Sequence, residues 1–281
     1  MNWFLKMVTK IVISRIPIGY QFWQKIGLFR HGSMDNSEYS IRVFQSHINL
    51  NRCGTDIQGK VLLELGPGDS IATAIIAATY GAKAVLVDVG HYVREDISTY
   101  HNLIATLKSK GLHPPVIENC KNITDVLKVC EASYFTDGVN SLQLIHSESV
   151  DFIFSQAVLE HIWKHEFLPM MKECKRVLAK NGTASHRVDL RDHLGGALNS
   201  LRFSERVWES KFFIRSGFYT NRIRFHQMEQ LFKEAGFKSE YPTIDRWEVL
   251  PTPVSKMDQS FQNLEDDLLV SGFNVIQYKF Y

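Results

Sequence analysis

The sequence has few cysteines, little excess of either charge sign and no long apolar run. Its four cysteines are scattered over 281 residues without a C-x-x-C pair, which indicates free thiols and a reducing, cytoplasmic location. No stretch reaches the roughly 18 uninterrupted apolar residues of a membrane span. The net charge of +2 provides no overall basic signature, so nucleic acid is not an expected partner.

Apolar segments and helical patterns alternate from Gly59 onward. Hydrophobic residues make up 44% of the chain, enough for one large core. Short apolar runs predict strands at 61–65, 84–88, 133–136, 150–154, 183–190, 240–249 and 274–281. Helices are predicted from Ala157 onward and from Leu168 to Leu178, the latter closed by a turn at Asn181-Gly182, and helix breaks are predicted near Pro17 and Gly32. The pattern predicts an α/β fold: a Rossmann-like, doubly wound, mostly parallel seven-stranded sheet. Residues 1–55 form a predicted N-terminal helical cap and 56–281 the α/β domain. Residues 191–224 form an insertion after the fifth strand, above the strand ends where such sheets bind ligands.

The strand at 61–65 ends abruptly in Gly66-Pro67-Gly68, and the next strand ends in Asp88. Glycines at such a turn let the backbone approach a ligand, and an acid after the second strand accepts hydrogen bonds from ribose hydroxyls. The two features together predict a nucleoside site.

The residues around the Gly66–Gly68 turn indicate which kind of nucleoside ligand it would bind. A dinucleotide fingerprint starting at Gly66 requires glycine at position 71, where this chain has Ile71. Glu64 and Asp69 bracket the loop, which is unfavourable for a pyrophosphate and suits a cationic ligand. An NAD-dependent oxidoreductase or epimerase is therefore the less favoured alternative.

Two motifs carry a family resemblance. The run ELGPGD at 64–69 resembles the first motif of class I S-adenosylmethionine-dependent methyltransferases. The run 149–161 resembles the fourth-strand motif of the small-molecule, type 11-like members, commonly D-x-I-x-S-x-x-V-L-E-H. The resemblance implies S-adenosylmethionine as cofactor and methyl transfer as activity. It implies cofactor contacts at Glu64, Gly66, Gly68, Asp88, Asp137 and Ser155, although Asp137 also fits a plain Asp-Gly turn.

Methyl transfer to a hydroxyl requires a general base with a pKa near the operating pH. His161, His193 and Asp189 lie near predicted strand ends and are the candidate catalytic residues; for His161 the alternative is anchoring its helix. His186 is expected in the packing layer of strand five. Asp189, Asp192 and His193 also admit a divalent metal, but so few local ligands favour no metal site.

The 202–224 segment mixes aromatic rings with guanidinium groups, which suit carbohydrate rings, carboxylates or phosphates. Predicted substrate contacts are Asp192, Trp208, Tyr219 and Arg222. The alternative for this segment is a solvated amphipathic loop. Its placement after strand five, together with the run HRVDLRDH at 186–193, resembles methyltransferases of surface-polysaccharide and other glycan pathways, so a small-molecule or glycan acceptor is expected. The alternative is a methyltransferase-fold subunit that binds S-adenosylmethionine without turnover.

The first 32 residues contain five basic residues and no acid. Trp3, Phe4, Met7, Val8, Ile11 and Val12 form an apolar helical stripe among them. Basic residues throughout and no following small-residue cleavage site argue against a signal peptide. The two interpretations are a cap on the core or cleft, and a basic amphipathic helix on an anionic membrane surface, giving peripheral membrane contact through residues 1–30.

Overall fold

The seven described strands form a single sheet. The computed structural model describes residues 2–16, 33–52 and 54–279. The strand order is β3-β2-β1-β4-β5-β7-β6. β7 pairs antiparallel with β5 and β6, and the other pairs are parallel. The strands are β1 (Val61–Leu65), β2 (Lys83–Val87), β3 (Ser133–Phe135), β4 (Val150–Gln156), β5 (Leu178–Asp189), β6 (Phe237–Arg246) and β7 (Val270–Lys279). The predicted Rossmann-like, mostly parallel seven-stranded sheet is confirmed.

Helices cover both faces of this sheet. Successive strand residues point to opposite faces, so Leu62 and Phe154 join one buried cluster while Leu63 and Ile153 join the other. The helices are α1 (Trp3–Ile13), α2 (Ser37–Ile48), α3 (Ala72–Thr79), α4 (Ser98–Ser109), α5 (Ile123–Val129), α6 (Gly138–Gln143), α7 (Lys164–Val177), α8 (Glu205–Trp208), α9 (Lys211–Ile214), α10 (Phe225–Glu234) and α11 (Glu265–Leu269).

The structure corrects the sequence prediction between β4 and β5. Ala157 has a left-handed backbone (φ +54°) and a single 3-10 turn follows at Leu159–His161, where the sequence predicted a helix from Ala157 onward. α7 begins at Lys164 and contains Pro169. β5 starts at Leu178, so Asn181-Gly182 lies in a strand irregularity, not in a turn between helix and strand.

The insertion after β5 and the N-terminal helix together enclose a small aromatic cluster. We use "aromatic cluster" for Met7, Leu194, Trp208, Phe213, Phe218 and Tyr219, with Trp3, Ile11, Phe203 and Ile214 packed around them. Lys10 Nζ donates to the Gly217 carbonyl (3.3 Å) and Arg15 Nη2 to the Phe212 carbonyl (2.6 Å). α1 is thus held against the insertion.

Half of the predicted apolar stripe remains outside this cluster. Phe4, Val8 and Val12 are exposed, while Trp3, Met7 and Ile11 pack inward. Among the described residues, no helix combines the length and apolar character needed to cross a bilayer. Lys25, Arg30 and the predicted helix breaks near Pro17 and Gly32 lie outside the described residues.

Candidate functional site

The turn after β1 has the geometry that the glycines predict. Gly66 and Gly68 have φ values of +67° and +64°, a region that glycine enters without steric cost. Gly66 N donates to the Val87 carbonyl (2.8 Å), which ties the turn to the end of β2. A Cβ on Gly66 would lie 2.6 Å from a methyl of Val158. The turn is therefore closely packed against the segment that follows β4.

Asp88 fixes the same turn from the end of β2. Its two carboxylate oxygens accept hydrogen bonds from Gly68 N (3.0 Å) and Val89 N (2.7 Å). Burial raises the pKa of Asp88 to about 6 despite these two bonds. Each carboxylate oxygen retains a second lone pair for an additional donor.

Further acidic side chains lie under and beside the turn. Glu64 is fully buried, its Oε2 has no hydrogen-bond partner among the described residues, and burial raises its pKa to about 8. Asp69 is buried and lies 3.7 Å from Arg94 Nη2. The predicted acidic environment is therefore present around the loop.

The two remaining predicted cofactor residues differ in their surroundings. Asp137 is exposed beside the end of β3 and accepts from Asn140 Nδ2 (3.2 Å). Ser155 has no exposed surface, and its hydroxyl pairs with His186 Nδ1 (2.8 Å). The side chain of Ser155 therefore lies in the packing layer of the sheet, and its contact with the cofactor stays a prediction.

His161 and His193 come together although 32 residues separate them in the chain. Their Nε2 atoms are 3.1 Å apart and the rings are nearly parallel, at 7°. His161 Nδ1 lies 3.0 Å from the carbonyl oxygen of Tyr219. Partial enclosure of the ring, followed by His161 and Lys10, lowers the pKa of His193 to about 4.

The two aspartates near this pair are engaged locally. Partial burial raises the pKa of Asp189, but hydrogen bonds from Arg191 outweigh it and leave the pKa below its ordinary value. Asp192 is buried, and its carboxylate accepts from four backbone N–H groups of the 194–200 loop. Asp192 therefore organises this loop, and its contact with a substrate stays a prediction. No cluster of three or more metal-ligating side chains occurs in the described part of the chain.

Three predicted substrate residues belong to the interior of the insertion. Trp208 is fully buried and donates to the Thr220 carbonyl (2.7 Å). Tyr219 OH donates to Glu209 (2.9 Å). Arg222 is buried, donates to the Phe203 carbonyl (2.6 Å) and lies against the Trp208 ring. These side chains build the wall of the insertion, and Arg222 also lines a cavity with Glu160 and Asp189. Their contacts with a substrate stay predictions.

Sequence reasoning missed several buried polar groups near the site. Glu160 is fully buried with Oε2 unpartnered among the described residues, and burial raises its pKa to about 8. Arg224 is buried and donates to three backbone carbonyls around Leu190, Asp267 and Val270. His47 of α2 reaches Ser185 (2.8 Å) and Gln156 (3.1 Å) across the sheet. Of these residues, only Glu160 could have been found from the sequence, because it belongs to the V-L-E-H motif.

Comparison with known proteins supports the interpretation of the turn and sheet. Residues 63–185 match the family model described as "Methyltransferase domain". No curated protein sequence matches the chain.

Solved structures match the chain at low sequence identity. A chain in the complex of the Haloferax volcanii Trm112 methyltransferase activator with a candidate methyltransferase is 13% identical, with a TM-score of 0.51; the match covers 95% of this chain and 100% of that one. A SAM-dependent methyltransferase from Archaeoglobus fulgidus is 9% identical, with coverages of 93% and 100% and a TM-score of 0.47. The YcgJ protein of Bacillus subtilis is 11% identical, with coverages of 87% and 99% and a TM-score of 0.46.

The family match, on a sheet with this strand order, identifies residues 63–185 as a class I S-adenosylmethionine-dependent methyltransferase domain. S-adenosylmethionine is its cofactor. The residues present fit this group: the Asp88 carboxylate and the Glu64 Oε2, which has no partner among the described residues, lie at the turn and would accept hydrogen bonds from it, and the buried Asp69 carboxyl lies beside them. The left-handed glycines provide the close backbone approach.

Proposed function

We propose that the protein transfers the methyl group of S-adenosylmethionine to a hydroxyl of a small-molecule or glycan acceptor. The observation that carries this proposal is the contact between His161 and His193 just beyond the ends of β4 and β5, at the edge of the sheet where the glycine turn follows β1. The turn binds the cofactor through the backbone at Gly66 and Gly68 and through the Asp88 carboxylate. Asp137 is the proposed partner of the adenine amine.

When bound, the cofactor supplies an activated methyl group, so the protein's task is to orient the acceptor and receive its proton. Correct orientation of two reactants is worth about 7–11 kcal/mol. A positioned base adds about 10²–10⁴-fold. The histidine pair provides the base, and Asp189 is a nearby carboxylate that stabilises a cationic imidazole.

A labelled-methyl transfer screen tests this proposal. Wild-type protein, Asp88→Ala and His193→Ala are incubated with labelled S-adenosylmethionine and pools of glycan, lipid and small phenolic acceptors. We expect label transfer by the wild type to one acceptor class, and its loss in both variants. Titration with S-adenosylhomocysteine should show unchanged affinity in His193→Ala. Tight binding without transfer to any acceptor would instead indicate a non-catalytic binding subunit.

We propose further that the outer face of α1 makes peripheral contact with an anionic membrane surface. Phe4, Leu5 and Val12 are 54%, 55% and 58% exposed, and leaving apolar surface in water is unfavourable by about 25 cal/mol per Å². Lys6 and Lys10 lie on the same helix and Arg15 follows it, and residues 2–16 contain no acid. A basic residue near an anionic bilayer contributes about 1 kcal/mol.

Vesicle sedimentation tests the membrane proposal. Full-length protein should pellet with phosphatidylglycerol-containing vesicles at low salt and remain in the supernatant with pure phosphatidylcholine. The double variant Leu5→Glu/Val12→Glu should stay in the supernatant. The matched control Val116→Glu/Leu144→Glu adds the same charge at two other exposed apolar positions and should pellet like the wild type. Equal pelleting of both double variants would refute the proposal.

A further inference from the structure

The hydrogen bonds of the histidine pair determine where its protons lie. A backbone carbonyl oxygen only accepts, so His161 Nδ1, 3.0 Å from the Tyr219 oxygen, carries a hydrogen. A neutral imidazole has one N–H, so His161 Nε2 is an acceptor. His193 Nε2, 3.1 Å away, must then be the donor. In neutral His193 this leaves Nδ1 without a proton.

His193 Nδ1 is available to a ligand. No described residue makes a hydrogen bond to this nitrogen, whereas His161 uses both of its ring nitrogens. His193 is also exposed and lies just beyond the end of β5, on the insertion side of the sheet. The two histidines are therefore not equivalent, although both follow strand ends in the sequence.

Building on the proposed function, we propose that His193 accepts the acceptor's hydroxyl proton on Nδ1. His161 is a positioning residue: its hydrogen bond to the Tyr219 carbonyl holds it in place, and its Nε2 fixes the tautomer of His193. The acceptor O–H bond breaks and its proton moves to His193 Nδ1. The acceptor oxygen forms the new bond to the methyl carbon, and the electron pair of the breaking C–S bond stays on sulfur. His193 becomes cationic while its Nε2–H continues to donate to His161.

The surrounding charges decide the pH range in which His193 can act. Partial enclosure of the ring opposes protonation of His193, and so do Lys10, Lys6 and, when it is charged, His161; Asp189 favours protonation. The net effect is a pKa of about 4, below the near-neutral value that the sequence analysis expects of the base, so His193 is neutral at physiological pH and is a weaker base than an ordinary histidine. The acid limb of kcat/KM should therefore lie below the ordinary histidine pKa of about 6.5.

Two variants of His161 distinguish a loss of its hydrogen bond to His193 from a mere change in side-chain size. In His161→Gln the amide oxygen can replace Nε2 and accept from His193, whereas the shorter side chain of His161→Asn can donate to the Tyr219 carbonyl and does not reach His193. We expect kcat to stay within about threefold of wild type in the glutamine variant and to fall at least about tenfold in the asparagine variant. Affinity for S-adenosylhomocysteine should be unchanged in both. His165→Asn, an exposed histidine on α7, is the control and should be fully active.

The tautomers of His161 and His193 can be measured without any methyl acceptor, by nitrogen NMR of the full-length protein with ¹⁵N-labelled histidine. Near neutral pH we expect His193 to carry its proton on Nε2 and His161 on Nδ1, and His161→Asn to mix the tautomers of His193. In kinetics, Lys10→Met should shift the acid limb of kcat/KM to higher pH. A proton on Nδ1 of wild-type His193, or equal kcat in the two His161 variants, overturns the inference. The expected tautomers in a protein that methylates no acceptor would refute the proposed function while leaving the tautomer assignment of the two histidines intact.

Discussion

Gly66 and Gly111 share a left-handed backbone but differ in their neighbours. Their φ values are +67° and +77°, so alanine is conformationally strained at both positions. A Cβ at Gly66 would collide with Val158 at 2.6 Å, whereas nothing lies within 4 Å at Gly111. We expect Gly66→Ala to reduce affinity for S-adenosylhomocysteine at least about tenfold, because the turn must move. Gly111→Ala should leave affinity unchanged, as measured by isothermal titration. Equal affinity in the two variants would contradict the assignment.

Asp88 is the second residue-scale test of the cofactor site. Asp88→Ala removes the proposed acceptor of two ribose hydroxyls, each hydrogen bond to a charged group being worth roughly 1.5–3 kcal/mol. Affinity for S-adenosylhomocysteine should fall by about 10²–10⁴-fold. Because Asp88 also binds Gly68 N and Val89 N, circular dichroism must show that the variant remains folded. A folded variant with wild-type affinity would remove Asp88 from the site.

Sequence analysis located the site residues that are fixed by neighbouring strands, and missed contacts between residues far apart in the chain. The glycine turn and Asp88 follow directly from two adjacent strands, and both lie where the pattern predicted them. The His161–His193 contact depends on how the loop after β5 folds back, and the hydrophobic periodicity of the sequence does not predict that conformation. Asp192 and Arg222 look like exposed ligand contacts in sequence, but the fold uses them to satisfy buried backbone groups.

At the level of elements, strand positions were more predictable than boundaries around irregular backbone. β1 was predicted at 61–65, as observed, because a buried parallel strand gives a continuous apolar run. Asn181-Gly182 resembles a turn, yet β5 runs through it, because its pairing with β4 is irregular there. The apolar stripe of α1 was also predicted, but helical periodicity does not reveal that one side packs while the other remains exposed.

The two sides of α1 should respond differently to the same substitution. Met7 is buried in the aromatic cluster, and Leu5 is 55% exposed on the same helix. Met7→Asp places a charge among aromatic rings and should detach α1, exposing the N-terminal segment to limited proteolysis and lowering Tm. Leu5→Asp should leave both properties unchanged. Equal protease sensitivity of the two variants would show that α1 is not held by this cluster.

Over the whole molecule, buried titratable groups create opposing pH dependences of stability. His47 and His186 are buried, and burial lowers their pKa values to about 4 and about 3. The unfolded chain protonates them below about pH 6.5, so their effect is to lower stability as the pH falls through that range. Glu64 and Glu160 are buried, and burial raises their pKa values to about 8. The folded state keeps these protons while the unfolded chain loses them above about pH 4.5, so their effect is to lower stability as the pH rises.

Between about pH 6.5 and 8 only the two glutamates among these four groups titrate differently in the folded and unfolded states. Each such proton changes the free energy of unfolding by about 1.4 kcal/mol per pH unit. We therefore expect the denaturant-derived free energy of unfolding of the ligand-free protein to decrease from pH 6.5 to pH 8. Glu160→Gln has no proton to lose and should reduce this slope by about half, with Glu118→Gln as an exposed control that leaves it unchanged. A stability that is flat or rises across this window would show that the two glutamates are ionised in the folded protein.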